Sequence, residues 1–207
     1  KILMRKKAIV TGGLGFIGSN LIKLLLKNNF FVINIDKINY ASNIYNLKNI
    51  KKKINYKFYK FDICNKKMFG MMLRKHKPNV LFNLAAETHV DRSINNPENF
   101  VRSNIIGVYN ILECIKKYIK IKKKFRMIHV STDEVYGDTK GLKKSKEGDK
   151  YQPSSPYSAS KASADHLINA YVRTYNLPIV ISNCCNNFGP NQLPEKFIHK
   201  IIFKLIR

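Results

Sequence analysis

The chain is short of acid. Across 207 residues it carries 13 Asp and Glu against 38 Lys and Arg, a formal net charge of +25. Such a balance raises nucleic-acid binding as a class, because basic surfaces gather polyanions. The placement of the charge argues against it. The lysines form short scattered runs (51–53, 122–124, 143–144) rather than clusters around aromatic residues. Lysine is also in excess together with asparagine and isoleucine, the bias of a low-GC coding sequence. No nucleic-acid partner is expected, though the field would draw an anionic substrate. No apolar run reaches the eighteen or so residues of a membrane helix, so no membrane contact is expected. Cysteine is scarce: Cys64, Cys114, Cys184 and Cys185 have no zinc-ligand spacing. The adjacent pair falls at a strand end, a poor place for a bridge. Reduced thiols in a cytoplasmic protein, packed as small apolar side chains, are the simplest reading. Repeats and low-complexity blocks are absent beyond the lysine bias. Lys1-Ile2-Leu3-Met4 is too short ahead of the first strand to be a secretory signal. The sequence does not open on Met and stops at Arg207 within an apolar stretch, which reads as a fragment.

What is present is strand and helix in alternation. That pattern predicts an α/β fold, a doubly wound parallel sheet with helices on both faces. A chain of this length buries roughly 70% of its unfolded surface, enough for one large domain. Strands are expected at 7–11, 31–36, 55–61, 80–84, 125–131 and 178–182. Helices are expected at 16–27, 66–75, 99–117 and 158–175, with a last one starting near Pro194. Ile17, Leu21, Leu24 and Leu25 are read as the buried face of the first helix. Val101, Ile105, Val108, Ile111, Leu112 and Ile115 are read as that of helix 99–117. Residues 139–150 are polar and aperiodic, an exposed loop.

Between the first strand and first helix lies Thr11-Gly12-Gly13-Leu14-Gly15-Phe16-Ile17-Gly18. Glycines at this spacing are weak in isolation, but between a strand and a helix they form a Rossmann dinucleotide fingerprint. Without side chains, the backbone N–H groups around Gly12, Gly15, Phe16, Ile17 and Gly18 can reach a pyrophosphate at the helix N-terminus. Asp36, followed by Lys37, ends the second strand about 20 residues on, where a carboxylate accepts from ribose hydroxyls and repels a 2′-phosphate. NAD is therefore preferred to NADP. Asp62 and Ile63 end the third strand beside the expected adenine pocket. Leu84-Ala85-Ala86 ends the fourth with small residues that let a cofactor lie against the backbone. This assigns residues 1–182 to an NAD-binding domain.

Tyr157 and Lys161 stand four apart, on one face of a helix. An ammonium beside a phenol lowers its pKa from about 10 toward neutrality. Such a tyrosine can take a proton from a hydroxyl while hydride leaves the same carbon for a nicotinamide, and Lys161 would also hold the nicotinamide ribose. Ser131-Thr132-Asp133-Glu134 closes the fifth strand at its carboxyl end, where open parallel sheets bind ligands. A hydroxyl such as that of Thr132 suffices for oxidoreduction. An adjacent acid and base, Asp133 and Glu134, would permit elimination as well.

The chain resembles the extended short-chain dehydrogenase/reductase superfamily and, within it, the nucleotide-sugar 4,6-dehydratases typified by dTDP-glucose 4,6-dehydratase. The matching segments are 11–20 (TGGLGFIGSN), 34–42 (NIDKINYAS), 83–94 (NLAAETHVDRSI), 131–138 (STDEVYGD), 153–167 (PSSPYSASKASADHL) and 183–196 (NCCNNFGPNQLPEK). The resemblance implies a redox-neutral lyase acting on a nucleoside-diphosphate glucose. C4 is oxidised with Tyr157 accepting the hydroxyl proton and Thr132 bonding the oxygen. Glu134 removes the C5 proton, Asp133 protonates the departing 6-hydroxyl, hydride returns to C6 and a proton returns to C5. Asp133 would be kept protonated by burial near Glu134. The resemblance also places Thr88, His89, Asn187 and Lys196 on the substrate, makes 183–207 the start of a substrate-binding region that is largely missing, and implies a homodimer through helices 99–117 and 158–175. Thr88 stands where bacterial members usually have Ser, and Phe188 where they have Tyr. Asn191-Gln192 looks more like the plant UDP-glucose enzymes, so dTDP-glucose and UDP-glucose are both carried as substrates. A 4-epimerase or reductase of the same superfamily is the alternative within the fold. A non-catalytic dinucleotide- or nucleic-acid-binding protein is the alternative outside it.

Overall fold

The structure is a computed structural model that describes residues 5–138, 144–194 and 197–206. Six strands, β1 (Lys7–Thr11), β2 (Phe31–Asp36), β3 (Tyr56–Lys60), β4 (Val80–Asn83), β5 (Arg126–Thr132) and β6 (Ile179–Cys184), form one sheet. The order is β3-β2-β1-β4-β5-β6 and every pairing is parallel. A strand covered on both faces needs apolar residues at successive positions, and β1 supplies them. Ala8 and Val10 enter the core on one side of the sheet, Ile9 on the other, all fully buried.

Helix α1 (Phe16–Lys27) and the 3₁₀ turn Ile44–Leu47 cover the first face, with Ile22, Leu25, Leu26 and Leu47 against Ala8, Val10 and Val32. Helices α2 (Lys66–His76), α5 (Gly107–Tyr118) and α6 (Pro156–Tyr175) cover the second. There Phe69, Leu73, Ile111, Leu112, Ile115 and Ile168 meet Ile9, Ile33, Ile35, Leu81 and Met127. Each such side chain contributes roughly 1.5–3 kcal/mol by leaving water. Two short helices, α3 (Val90–Asn95) and α4 (Glu98–Phe100), precede α5, and α7 (Phe197–Leu205) follows the sheet. The doubly wound α/β architecture read from the sequence is the one observed. Strand order reverses between β1 and β4, which opens a crevice at the carboxyl ends of the strands.

Two expected faces are corrected. The buried side of α1 is Gly18, Ser19, Ile22, Leu25 and Leu26, while Ile17 and Leu24 are 39% and 56% exposed. The helix is turned so that Gly18 sits on the backbone of Gly12 and Gly13, and that contact sets the phase. The single helix expected over 99–117 is instead α4, a π-helical segment Val101–Ile106, and α5. The wider π turn leaves Val101 and Ile106 exposed and brings Ser103 and Asn104 inside. Asn104 bridges two elements: its Oδ1 accepts from the Glu87 N–H (2.9 Å), and its Nδ2 donates to the Glu87 carbonyl (3.0 Å) and to Ser160 Oγ (2.8 Å). Asn104→Ala orphans these buried groups and is expected to lower stability by about 2–4 kcal/mol, read as a lower urea midpoint. The sheet also runs further than expected, since β6 continues to Cys184. No described helix is long and apolar enough to cross a membrane. All four cysteines are free, Cys114 buried and Cys185 exposed.

Candidate active site

The crevice at the carboxyl ends of the strands is one continuous cleft. Its floor is the β1–α1 turn. Gly12 has φ +67°, and a Cβ there would lie 2.9 Å from the Ala85 backbone. A Cβ on Gly18 would lie 2.2 Å from the Gly12 carbonyl. Only glycine permits the tight turn and the close seating of α1. The helix begins at Gly15 with no capping side chain and no acid in its first turn, so its N-terminus faces the cleft as an uncompensated positive end. Gly12, Gly15, Phe16, Ile17, Gly18, Asp36, Lys37, Asp62, Ile63, Leu84, Ala85 and Ala86 all line the cleft. This donor set and cradle fit a dinucleotide.

At the other end lie Thr132, Glu134, Tyr157 and Lys161, with Thr88 and Asn187 at the rim. α6 is started by a capping box in which Ser155 and Ser158 exchange hydrogen bonds, with Pro156 in the first turn. This fixes Tyr157 and Lys161 on the inward face, 8% and 3% exposed. The Tyr157 N–H donates to Ser93 Oγ (3.1 Å), and its ring meets Phe100 edge-on at 6.3 Å. Thr132 is the cap of the 3₁₀ turn Asp133–Tyr136, its Oγ1 accepting from the Glu134 N–H.

The electrostatics differ from expectation at two residues. Lys161 Nζ donates to the Val130 carbonyl (2.7 Å) and stands 3.3 Å from His129 Nε2. Among the described residues it makes no hydrogen bond to the phenol. Burial, and then the Glu134 carboxylate, hold Tyr157 well above the ordinary tyrosine range, against a hydrogen bond with Thr132 that favours the phenolate. Burial pushes the Lys161 ammonium down to about 8, with Asp165 and Cys184 acting in the opposite sense. Asp133 is the second correction. It is exposed and outside the cleft, because successive residues of a 3₁₀ turn project in different directions.

A family model described as GDP-mannose 4,6 dehydratase matches residues 9–207. The chain belongs to the GDP-mannose 4,6 dehydratase family. It is 45% identical over 215 residues to a dTDP-glucose 4,6-dehydratase of Escherichia coli, a match over 97% of this chain and 59% of the relative. The solved structure of DesIV from Streptomyces venezuelae, a dTDP-glucose 4,6-dehydratase with NAD and TYD bound, superposes with a TM-score of 0.89. It is 37% identical over 97% of this chain and 62% of its own. A UDP-glucose 4-epimerase of Thermotoga maritima with UDP-glucose superposes at 0.81 with 30% identity, covering 92% and 59%. The chain thus spans about 60% of the length of the dehydratases it matches.

Within this family member, His89 lies half-buried at the start of α3, off the cleft wall, and Lys196 falls outside the described residues. Residues 139–143 of the expected loop lie outside them too. The cleft also takes in residues that the sequence reading passed over. Asp36 accepts from the Leu14 N–H (3.0 Å), the Ile38 N–H (2.8 Å) and Ser42 Oγ (2.8 Å), so it organises its own loop as well as facing the cleft. Lys37 Nζ is tied to Ser103 Oγ and to Glu87, each at 2.8 Å. Ser42 lay in the matched segment 34–42 and could have been found there. Glu87, which holds Lys37 from outside the cleft lining, lay in the matched segment 83–94; Ser103 sits in the π segment and had no local signal. Cys184 and Cys185 line the cleft as well, where they had been read as inert packing.

Proposed function

We propose that the intact protein is an NAD-dependent hydro-lyase that converts dTDP-glucose or UDP-glucose to the 4-keto-6-deoxy sugar nucleotide. The observation that carries this is the cleft itself. One continuous wall joins the glycine cradle to Thr132, Glu134, Tyr157 and Lys161. Bound on the cradle formed by Gly12, Gly15 and the first turn of α1, NAD would supply the hydride acceptor for C4, the hydride for C6 and a positive charge near the phenol. Asp36, an anionic wall at the end of β2, supports the choice of NAD over NADP.

The chain's own residues supply the proton traffic. Tyr157 exchanges a proton with the C4 hydroxyl, and Thr132 steadies that oxygen and favours the phenolate. Lys161 presents an ammonium one turn along the same helix. A ketone at C4 acidifies the C5 proton, Glu134 on the cleft wall removes it, and a proton returns to C5 when C6 is reduced. Asp133 protonates the departing 6-hydroxyl. Its carboxylate accepts from the Thr132 hydroxyl at 3.4 Å, which ties it to a residue of the cleft wall. Thr88, His89, Asn187 and Lys196 hold the sugar and diphosphate. Exposed Val101, Ile106, Tyr109 and Tyr175 support a homodimer through the π segment with α5 and through α6. The free thiols support a cytoplasmic setting.

The test is direct. The intact protein, incubated separately with dTDP-glucose and UDP-glucose, should give a product lighter by one water from one of them, without net reduced nicotinamide. Steady accumulation of reduced cofactor would exclude the dehydratase. An epimer of unchanged mass would instead establish the epimerase reading, which the paired acids after Thr132 argue against.

A further inference from the structure

A row of polar side chains runs through the interior from β1 to α6: Thr11, Asn83, His129, Lys161 and Asp165, none more than 3% exposed. Polar groups so deep must be paired, and the pairing fixes where each proton lies. Thr11 Oγ1 accepts from the Leu84 and Ala85 N–H groups (3.2 Å each), so its own proton goes to Asn83 Oδ1 (2.7 Å). That orients the Asn83 amide, whose Nδ2 then donates to His129 Nδ1 (2.9 Å). With Nδ1 an acceptor, the neutral imidazole carries its proton on Nε2. This Nε2 stands 3.3 Å from Lys161 Nζ and 3.7 Å from Asp165 Oδ1. Asp165 Oδ2 accepts from Ser131 (2.6 Å), Tyr151 (3.3 Å) and Asn183 (3.3 Å), while Oδ1 has no hydrogen-bond partner among the described residues. A buried carboxylate with one bare oxygen, sharing His129 Nε2 as a neighbour with a buried ammonium one helical turn back, is not required by packing.

We propose that Asp165 and His129 are positioning residues for Lys161: the Asp165 carboxylate, one helical turn along α6, is the counter-charge that keeps the lysine an ammonium, and His129, locked as its Nε2–H tautomer, turns that proton toward Asp165 Oδ1 rather than toward Lys161 and so cannot take the lysine's proton. The imidazole therefore closes off the sheet side of Lys161. The ammonium spends one proton on the Val130 carbonyl and keeps the others for the cleft. This assignment rests on Lys161 being a working group of the proposed site.

The other titratable groups around Lys161 are few. Tyr157 lies one turn back on α6, Cys184 lies on β6, and Glu134 and Asp133 lie on the 3₁₀ turn. Burial drives Lys161 toward the amine, and Asp165 is the first group to oppose it, ahead of Cys184. Burial raises Asp165 in turn, and Ser131, Lys161, Asn183 and Tyr151 work to retain its charge. His129 is held neutral by burial and by Lys161 itself.

The lysine can be read directly. In intact protein with ¹³C-labelled lysine side chains, the Lys161 signal, identified by its loss in Lys161→Met, should titrate near pH 8. In Asp165→Asn it should titrate about 1–2 units lower, and in Asp165→Glu close to the parent. Since the ammonium exists below its pKa and is lost above it, the basic limb of the turnover profile should move down by the same interval. An unshifted Lys161 in folded Asp165→Asn overturns the proposal. Should that variant not fold, the parent decides. Long-range ¹H–¹⁵N spectra should show His129 as the neutral Nε2–H tautomer well below pH 6.5, and an Nδ1–H tautomer overturns the proposal. A shifted lysine in a protein that dehydrates no sugar nucleotide supports this pairing and defeats the functional reading alone.

Discussion

Tyr157→Phe is expected to fold like the parent, retain its cofactor affinity, and lose turnover by about 10²–10⁴-fold, the range for removing a positioned proton-transfer group. The ring is held by contacts that Phe keeps: the edge-on packing against Phe100 and the backbone N–H bond to Ser93 Oγ. Only the hydroxyl and its bond with Thr132 are lost, about 1 kcal/mol for a neutral pair and partly offset because a buried polar group no longer needs satisfying. The chemical loss is far larger. No other phenol lines this end of the cleft among the described residues, and Thr132, the neighbouring hydroxyl, is too weak an acid to replace it. Single-turnover absorbance of the bound nicotinamide separates the steps: the parent should show transient reduction on mixing with substrate, and the variant none. Parent-like turnover would remove Tyr157 from the mechanism.

The cradle and the Tyr–Lys pair were legible because their chemistry is local. A positive-φ glycine after a strand and two side chains one helical turn apart can be read from spacing. The strands were legible because Ala8-Ile9-Val10 and Val32-Ile33 are short apolar runs bounded by polar residues. What was not legible depends on contacts distant in sequence. In FIGSNLIKLLLK the apolar residues surround α1, so no stripe selects a face, and the seating of Gly18 on Gly12 decides it. Val101, Ile105 and Val108 suit an ordinary helix equally well; the π segment is favoured by Asn104 reaching Glu87 and Ser160. The direction of Lys161 was set by a carbonyl on the neighbouring strand, Val130, which spacing cannot show. His129 gave no signal, because a polar residue in a strand ordinarily marks the wet side, and Asp165, within the matched segment 153–167, gave none of its burial or of its pairing across the sheet.

The cradle gives the second large effect, and two alanines separate its parts. In Gly18→Ala the new Cβ would meet the Gly12 carbonyl oxygen at 2.2 Å, Gly13 Cα at 2.7 Å and the Gly12 carbonyl carbon at 2.9 Å. All are backbone atoms, so none can swing aside. The β1–α1 turn must open or α1 must lift from β1, at a cost of about 3 kcal/mol. Lifting the helix also moves the N–H groups that would meet the pyrophosphate, so NAD affinity should fall by at least about 100-fold, equivalent to roughly 2.7 kcal/mol. In Gly15→Ala the nearest atoms are the Gly12 carbonyl oxygen at 3.3 Å and the Ala41 carbonyl oxygen at 4.0 Å, and the backbone (φ −72°, ψ 179°) suits any residue. That methyl enters the cleft rather than the core. Gly15→Ala should therefore melt within about 1 kcal/mol of the parent, as expected for Ala against Gly at an N-cap, yet lose much of its NAD binding because the methyl occupies the surface on which the phosphates lie. Urea unfolding and calorimetric titration with NAD, run on both variants, give the two quantities independently. A Gly15→Ala protein that binds NAD like the parent would show that no phosphate approaches this turn, and the cofactor assignment would fall with it.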